Sequence, residues 1–427
     1  MKPSYKVAIG AAALLAGTAL IATRPGADGH KVAVARAQLA AVTPAARHDI
    51  DYDRLDARLT RLMERPAMVG LAVGVVENGK ITFLKGYGET LAGSGDPVTP
   101  ETVFRWASVS KGVAGTMVAK LAERGKVELS GPVASYSKTL RLPSGAEQRA
   151  TVSDLLSHRL GLYRNAYDNK LEEGQDPALL RMQLGQLNLI CPPGTCWSYN
   201  NVAFDAASEI VQGATGKPYP EVLKRRLFDP LGMSSASVTR EGIMNSRSWA
   251  RPHSAGAREV ELTDAYYRVP AAGGVNSDIK DLAVWMLAQM GQMPEVVSPN
   301  VLQAIHSPMV KTPTERRRLR KFLERLGTAW YGYGWRTYEY AGHLIVGHRG
   351  GLNGYRSLIL FDPQRKSGVV ALWNSNTNQP GGLEFEVMDM IYHLPFRDWL
   401  EVDRSGASTA TAHEEDEETS DTGNGSR

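Results

Sequence analysis

Apolar residues first recur with a helical period, at Tyr52, Leu55, Leu59 and Leu62, and the pattern then changes to two extended apolar runs, Val69–Val76 and Ile81–Leu84. Between the runs lies Glu77-Asn-Gly-Lys80, whose Asn-Gly pair suits a tight two-residue turn, so a β-hairpin is predicted. From Ser108 to Met290 the pattern is mostly helical, broken by turn-rich stretches such as Ser234–Gly256. Strand character returns at His343–Gly347. A second hairpin follows, with Tyr355–Phe361 and Gly368–Trp373 on either side of Asp362-Pro-Gln-Arg-Lys-Ser367, and a last helix is expected over Leu383–Tyr392. The economical architecture is α/β of the α+β type: one antiparallel sheet built from N- and C-terminal strands, flanked by helices, with an inserted helical lobe. A substrate cleft is expected between sheet and lobe.

Both ends of the chain depart from this pattern. Lys2 and Lys6 precede an apolar run from Val7 to Ala22, followed by Thr23-Arg-Pro-Gly26, which marks export. Residues 1–37 are read as a signal peptide, with Ala35-Arg-Ala37 as a small-residue cleavage site, or as an N-terminal membrane anchor. Residues 404–427 carry Glu414-Glu-Asp-Glu-Glu418 and no apolar period, and are expected to form a disordered acidic tail. The folded domain is placed at residues 48–403, and the protein in the bacterial periplasm or cell envelope. Exposure to an oxidising compartment changes the meaning of the two cysteines, Cys191 and Cys196. They bracket Pro192-Pro-Gly-Thr195 and are expected to close a local disulfide that fixes the segment after it. The chain has 427 residues, enough for one large or two moderate domains, and its net charge of +4 gives no case for nucleic acid.

Candidate chemistry begins at Phe104-Arg-Trp-Ala-Ser-Val-Ser-Lys-Gly112. Ser108 and Lys111 are three residues apart, so a helix would set a hydroxyl and an amine on one face. A serine alcohol becomes a nucleophile when a base takes its proton, and a lysine amine can be that base only while uncharged. Ser135–Lys138 and Ser277–Lys280 share the spacing. Ser135 has no helical stripe after it and reads as loop, whereas Ser277 reads as the N-cap of the helix that follows. After Lys111, the residues Ala114, Met117, Val118, Leu121 and Ala122 form the stripe of a buried amphipathic helix with Ser108 in its first turn.

Acyl transfer to Ser108 also needs a proton donor for the leaving group and donors for the oxyanion. Of three Tyr-x-Asn matches, Tyr163-Arg-Asn165 and Tyr167-Asp-Asn169 lie in a polar loop and read as surface. Tyr199-Asn-Asn201 opens a helix directly after the cysteine loop. Tyr199 is therefore the candidate proton relay, and Asn201 the amide that holds a substrate carbonyl or Lys111. Gly347-His-Arg-Gly-Gly351 follows a short apolar strand, and its glycines permit a close backbone approach. The N–H of Gly351 can pair with that of Ser108 as an oxyanion hole, with His348, Arg349 and Gly350 bordering the acyl site as polar or cationic contacts.

The order Ser108-x-x-Lys111, Tyr199-x-Asn201, His348-x-Gly350 resembles the serine β-lactamase and penicillin-binding superfamily, in its class C β-lactamase-like branch. Leu155-Leu-Ser-His-Arg-Leu-Gly-Leu162, Pro193–Asn201, Leu231-Gly-Met233 and Ala272–Leu282 look like family landmarks, and together they span roughly residues 50 to 395. The resemblance implies Ser108 as acylated nucleophile, Lys111 as its base, Tyr199 as relay and His348–Gly351 as substrate edge. One departure stands out: class C β-lactamases carry Lys-Thr-Gly where this chain has His348-Arg-Gly350. A histidine is only partly charged near neutrality, so the usual carboxylate contact falls to Arg349 or is absent.

The expected activity is that of an exported serine hydrolase acting on an ester, amide or β-lactam, with a small molecule or short peptide as substrate and no cofactor. The rival is a penicillin-binding D-Ala-D-Ala carboxypeptidase, or a penicillin-recognition module that acylates without turnover. No His-Glu-x-x-His or Gly-x-Ser-x-Gly motif occurs, which removes zinc protease and α/β-hydrolase readings, and no metal is expected. Glu315-Arg-Arg-Arg-Leu-Arg-Lys-Phe-Leu-Glu-Arg-Leu326 is expected to be a helix with Leu319, Phe322, Leu323 and Leu326 on one face and cations on the other, a solvated surface or a basic rim for the cleft or for anionic lipid.

Overall fold

The computed structural model describes residues 48–403; the stretches expected to be an export segment and a disordered acidic tail lie outside the described residues. Its core is an eight-stranded antiparallel sheet drawn from both ends of the chain. The strands are β1 (Gly70–Glu77), β2 (Lys80–Gly88), β5 (Val310–Lys311), β6 (Leu326–Tyr331), β7 (Arg336–Tyr340), β8 (His343–Leu352), β9 (Tyr355–Asp362) and β10 (Ser367–Trp373), in the spatial order β2-β1-β10-β9-β8-β7-β6-β5. Two short strands, β3 (Phe104–Arg105) and β4 (Asn276–Ser277), pair at the seam where the lobe leaves and rejoins the sheet. The first hairpin turns as expected, with Asn78 and Gly79 at φ 53° and 74°, the left-handed region that Asn-Gly tolerates best.

Alternation along each strand sorts the sheet into two faces. On the outer face Leu71, Val73 and Val75 pack with Leu55, Leu59 and Leu62 of the helix Tyr52–Met63 and with Phe385 and Met388 of the helix Leu383–Ile391. On the inner face Ala72, Ile359, Phe361 and Val370 meet Val113 and Met117 of the helix Ser110–Glu123 and Ile279 of the helix Ile279–Gln289. The helix Ser110–Glu123 is more buried than its stripe implied, with every residue from Ser110 to Leu121 buried. The lobe wraps it on the sides the sheet leaves open.

Three local expectations need correction. Ser277 is not the N-cap: it pairs in β4, takes a hydrogen bond from Trp106 Nε1 at 2.9 Å, and leaves the cap to Asp278, which accepts from Asp281 N at 2.8 Å. Lys280 turns to Glu101, so this Ser–Lys pair shares no chemistry. Ser135 lies in a loop as expected, closing a single 3-10 turn, Val133–Ser135, with no helix directly after it. Strand β8 does not stop at Gly347 but runs on to Leu352, because Gly347 and its neighbours pair with β9 residue by residue. The basic stretch is no continuous helix. It splits into the helix Pro313–Arg318, a 3-10 turn at Arg320–Phe322 and the start of β6. Leu319, Phe322 and Leu326 are buried while Leu323 is exposed. Lys321 donates to Trp399 O at 2.5 Å and Arg325 to Pro395 O at 2.6 Å, so these two cations fasten the C-terminal segment, while Arg317, Arg318 and Arg320 stay exposed.

Candidate active site

The turn Ala107–Val109 leads directly into the helix Ser110–Glu123 and leaves Ser108 part-exposed at the sheet–lobe boundary. Ala107 is held at φ 48°, a costly conformation for a residue with a side chain, and the sheet holds it there. Ser357 Oγ on β9 donates to Trp106 O at 2.6 Å. Gly350 on β8 lies so close that a Cβ there would come within 2.5 Å of Trp106 O and 2.9 Å of Ala107 Cβ. Any other residue at 350 would push β8 away from the serine turn.

Ser108 Oγ lies 3.2 Å from Lys111 Nζ and 2.8 Å from the Tyr199 hydroxyl. Lys111 is wholly buried; its amine donates to Asn201 Oδ1 at 2.6 Å and to Ala272 O at 2.9 Å, and sits 4.6 Å from the centre of the Tyr199 ring. Asn200, not Asn201, caps the helix Asn201–Phe204 by accepting from Ala203 N at 2.7 Å, which leaves the Asn201 side chain to Lys111. The segment carrying Tyr199 is fixed from two sides. The Cys191–Cys196 disulfide is formed, and Ser198 N and Asn200 N donate to the carbonyl and Nδ1 of His158 at 2.8 and 3.3 Å. The His158 ring packs against Tyr199, tilted by 36° with centroids 4.3 Å apart.

His348 and Arg349 part company. Register pairs His348 with Ile359, an inner-face residue, and Arg349 with Leu358, an outer-face residue. His348 is buried beside the site. Its Nδ1 lies 2.6 Å from Arg349 O, an acceptor, so Nδ1 carries the proton and Nε2 accepts from the Tyr331 hydroxyl at 3.0 Å. Burial, reinforced by Arg336 and Lys111, holds its pKa well below the usual histidine value, so it stays neutral. Arg349 points through the sheet to Glu384, donating from Nε at 2.6 Å. The cationic role foreseen for this pair is therefore absent: one residue is uncharged and the other is on the far face. Gly351 pairs with Arg356 of β9, and β7 ends its pairing with β8 at Gly347, so beyond that point β8 presents an open edge.

Residues not singled out in the sequence complete the site. Asp168, from the Tyr167-Asp-Asn169 match set aside as surface, is buried and accepts from Asn201 Nδ2 at 2.6 Å. Burial raises its pKa to about 7, against the lowering influence of that bond. Asp205 accepts from Ala271 N at 2.9 Å and so steadies the carbonyl of Ala272 next to it; burial also lifts its pKa to about 7, opposed by Arg181. Arg336 lies over the rings of Trp197, Tyr199 and Tyr331 at 5.7, 5.8 and 5.5 Å, and pairs with Glu315 at 2.9 Å. Among the described residues no group of three or more His, Cys, Asp or Glu could hold a metal ion, and no helix is long and apolar enough to cross a membrane.

A family model described as Beta-lactamase matches residues 55–389. The chain belongs to the β-lactamase family. Within this family of serine hydrolases, the unguisins hydrolase of Aspergillus campestris is 28% identical over an alignment covering 78% of this chain and 62% of that protein. Penicillin-binding protein 4 of Amycolatopsis lactamdurans is 27% identical, with 76% and 85% covered. The D-alanyl-D-alanine-carboxypeptidase/endopeptidase AmpH of Escherichia coli is 26% identical, with 58% and 64% covered. The chain thus spans under two thirds of the length of two of these relatives. Two solved structures share the fold. The octameric penicillin-binding protein homologue from Pyrococcus abyssi superposes with a TM-score of 0.71 at 24% identity, covering 81% of this chain and 78% of the other, and a class C β-lactamase with 0.64 at 21%, covering 78% and 95%.

Proposed function

We propose that this β-lactamase-family protein is an exported hydrolase that cleaves esters or amides through an acyl-enzyme at Ser108. The observation that carries the proposal is the convergence of Lys111 Nζ and the Tyr199 hydroxyl on Ser108 Oγ, at 3.2 and 2.8 Å. Lys111 takes the Ser108 proton as the oxygen attacks the substrate carbonyl, and the N–H groups of Ser108 and Gly351 receive the oxyanion. Tyr199 passes a proton to the leaving group as the tetrahedral species collapses. Water then enters, gives its proton back through the same groups, and frees the acid and Ser108.

The substrate class follows from charge. β-Lactams and D-Ala peptides carry a carboxylate, while His348 is neutral and Arg349 is paired to Glu384 on the other face, so β8 offers that carboxylate no cation; the guanidinium groups of Arg336 and Arg164 lie over the Tyr199 ring at 5.8 and 5.5 Å, the first paired with Glu315. Neutral esters and amides fit better. The name of one relative, the D-alanyl-D-alanine-carboxypeptidase/endopeptidase AmpH, favours a second reading, release of D-Ala from short peptides. We assign catalysis to residues 48–403. Export is supported by the basic and apolar leader and by a disulfide suited to an oxidising compartment. The test is turnover and intact-mass detection of the acyl adduct across p-nitrophenyl esters, cephalosporins and D-Ala-D-Ala peptides, with Ser108→Ala as control. Ester turnover well above that of the carboxylate-bearing substrates is expected. Preferred cleavage of D-Ala-D-Ala would select the second reading, and a stable cephalosporin adduct without any turnover would mark a recognition module instead.

A further inference from the structure

We infer that Asp168 is a positioning residue that sets which way round the Asn201 amide faces Lys111, and thereby reserves the lysine's lone pair for Ser108. The inference rests on the acyl-enzyme reading and deepens it. An asparagine amide has nearly the same shape either way round, so packing alone cannot choose between its oxygen and its nitrogen. Here the choice is made by chemistry. Asp168 Oδ2 lies 2.6 Å from Asn201 Nδ2, and a carboxylate only accepts while an NH2 only donates. The Asn201 oxygen is thus directed at Lys111 Nζ, 2.6 Å away.

The consequence is a count of protons on nitrogen. An uncharged lysine has two N–H bonds and one lone pair. Asn201 Oδ1 and Ala272 O can only accept, and together they engage both N–H bonds. The lone pair is left for the remaining direction, toward Ser108 Oγ at 3.2 Å. With the amide reversed, its N–H groups would face the lysine and compete for that lone pair, and the base would be blocked.

Asp168 sits where its own ionisation matters. Its other oxygen, Oδ1, is buried without a hydrogen-bond partner, which adds to the cost of holding charge there. Lys111, while it carries its charge, and Arg164 favour the carboxylate, Glu172 opposes it, and the phenols of Tyr163 and Tyr266 lie close by. A protonated Asp168 no longer dictates the amide's orientation. Because burial raises its pKa to about 7, the constraint is complete above that pH and fades as the pH falls through it.

The experiment compares fluorophosphonate labelling and p-nitrophenyl ester hydrolysis in the wild type, Asp168→Asn, Asn201→Leu and the double variant. Asp168→Asn keeps shape but can offer either end of an amide. It should lower kcat by about 100-fold, the scale of a misplaced catalytic group, with KM and Tm little changed, and should remove the acid limb of kcat/KM near pH 7. In the Asn201→Leu background the same change should cost nothing more, since the effect passes through Asn201. Undiminished labelling and an unaltered pH profile in Asp168→Asn would overturn the inference and leave the acyl-enzyme reading standing. A further loss in the double variant would overturn it too. No labelling of wild-type Ser108 would sink the reading itself, and the inference with it. Should Asp168→Asn not fold, Asn201→Leu alone decides: an acid limb near pH 7 that persists there contradicts a path through the amide.

Discussion

The outer face of the sheet and the surroundings of Lys111 hold buried charge in different ways. On the outer face cations meet carboxylates directly. Arg58, 1% exposed, is gripped by Glu386 at 2.6 Å and by Asp398 at 2.5 Å, and Arg349 is paired to Glu384. On the inner face the amine of Lys111 rests on an amide oxygen and a main-chain carbonyl, and the Asp168 carboxylate reaches it through the Asn201 amide. The contrast separates stability from reactivity. A lysine bound directly to a carboxylate is held as an ammonium and cannot accept a proton; one held by neutral oxygens can give up its charge and act as a base. Burial also keeps three histidines on the inner side, His158, His348 and His306, neutral by holding them well below the usual imidazole value.

The contrast can be broken or sharpened by substitution. The largest effect is expected from Lys111→Met, which keeps the buried volume and removes the base. The acylation rate of Ser108, followed by fluorophosphonate labelling, should fall by roughly 10⁴-fold while the protein stays folded. Next comes Arg58→Met on the outer face. Stranding Glu386 in the interior should cost about 3 kcal/mol in denaturant unfolding, with the kcat of the folded protein unchanged. A loss of activity matching the loss of stability would show that the faces are not independent.

A smaller effect tests the inner histidines. Burial lowers the pKa of His306 to about 3, and its ring contacts Trp335 and Phe361. Because the unfolded chain binds this proton near pH 6.5 and the folded one does not, the contribution of neutral His306 is fully present above that pH and is lost as the pH falls. His306→Asn should therefore gain on the wild type by about 2 kcal/mol in unfolding free energy between pH 6.5 and 5. A pH-independent difference between the two would mean that His306 is solvated.

What the sequence made legible was local. The Ser108–Lys111 pair needs only one helical turn, the hairpin at Asn78-Gly79 needs only its own turn residues, and the Cys191–Cys196 bridge closes over five positions. The assembly of the sheet from both chain ends also followed from patterning. What stayed hidden depended on contacts across the chain. Asp168 touches Asn201 over 33 positions, and its own surroundings read as a polar loop. The placement of Arg349 was lost because the glycines after Gly347 suggest a turn; once β8 is seen to continue, alternation alone puts His348 and Arg349 on opposite faces. Ser277 missed its helix by one residue because Ser and Asp both cap well, and only the pairing of Ser277 with Phe104 chooses between them.

The most direct measurement is peptide mapping of the covalent adduct formed by a fluorophosphonate or an activated ester, in the wild type and in Lys111→Met. The account predicts one modified residue, Ser108, acylated rapidly in the wild type and barely at all in the variant. Modification at another residue, or equal rates in the two proteins, would contradict it.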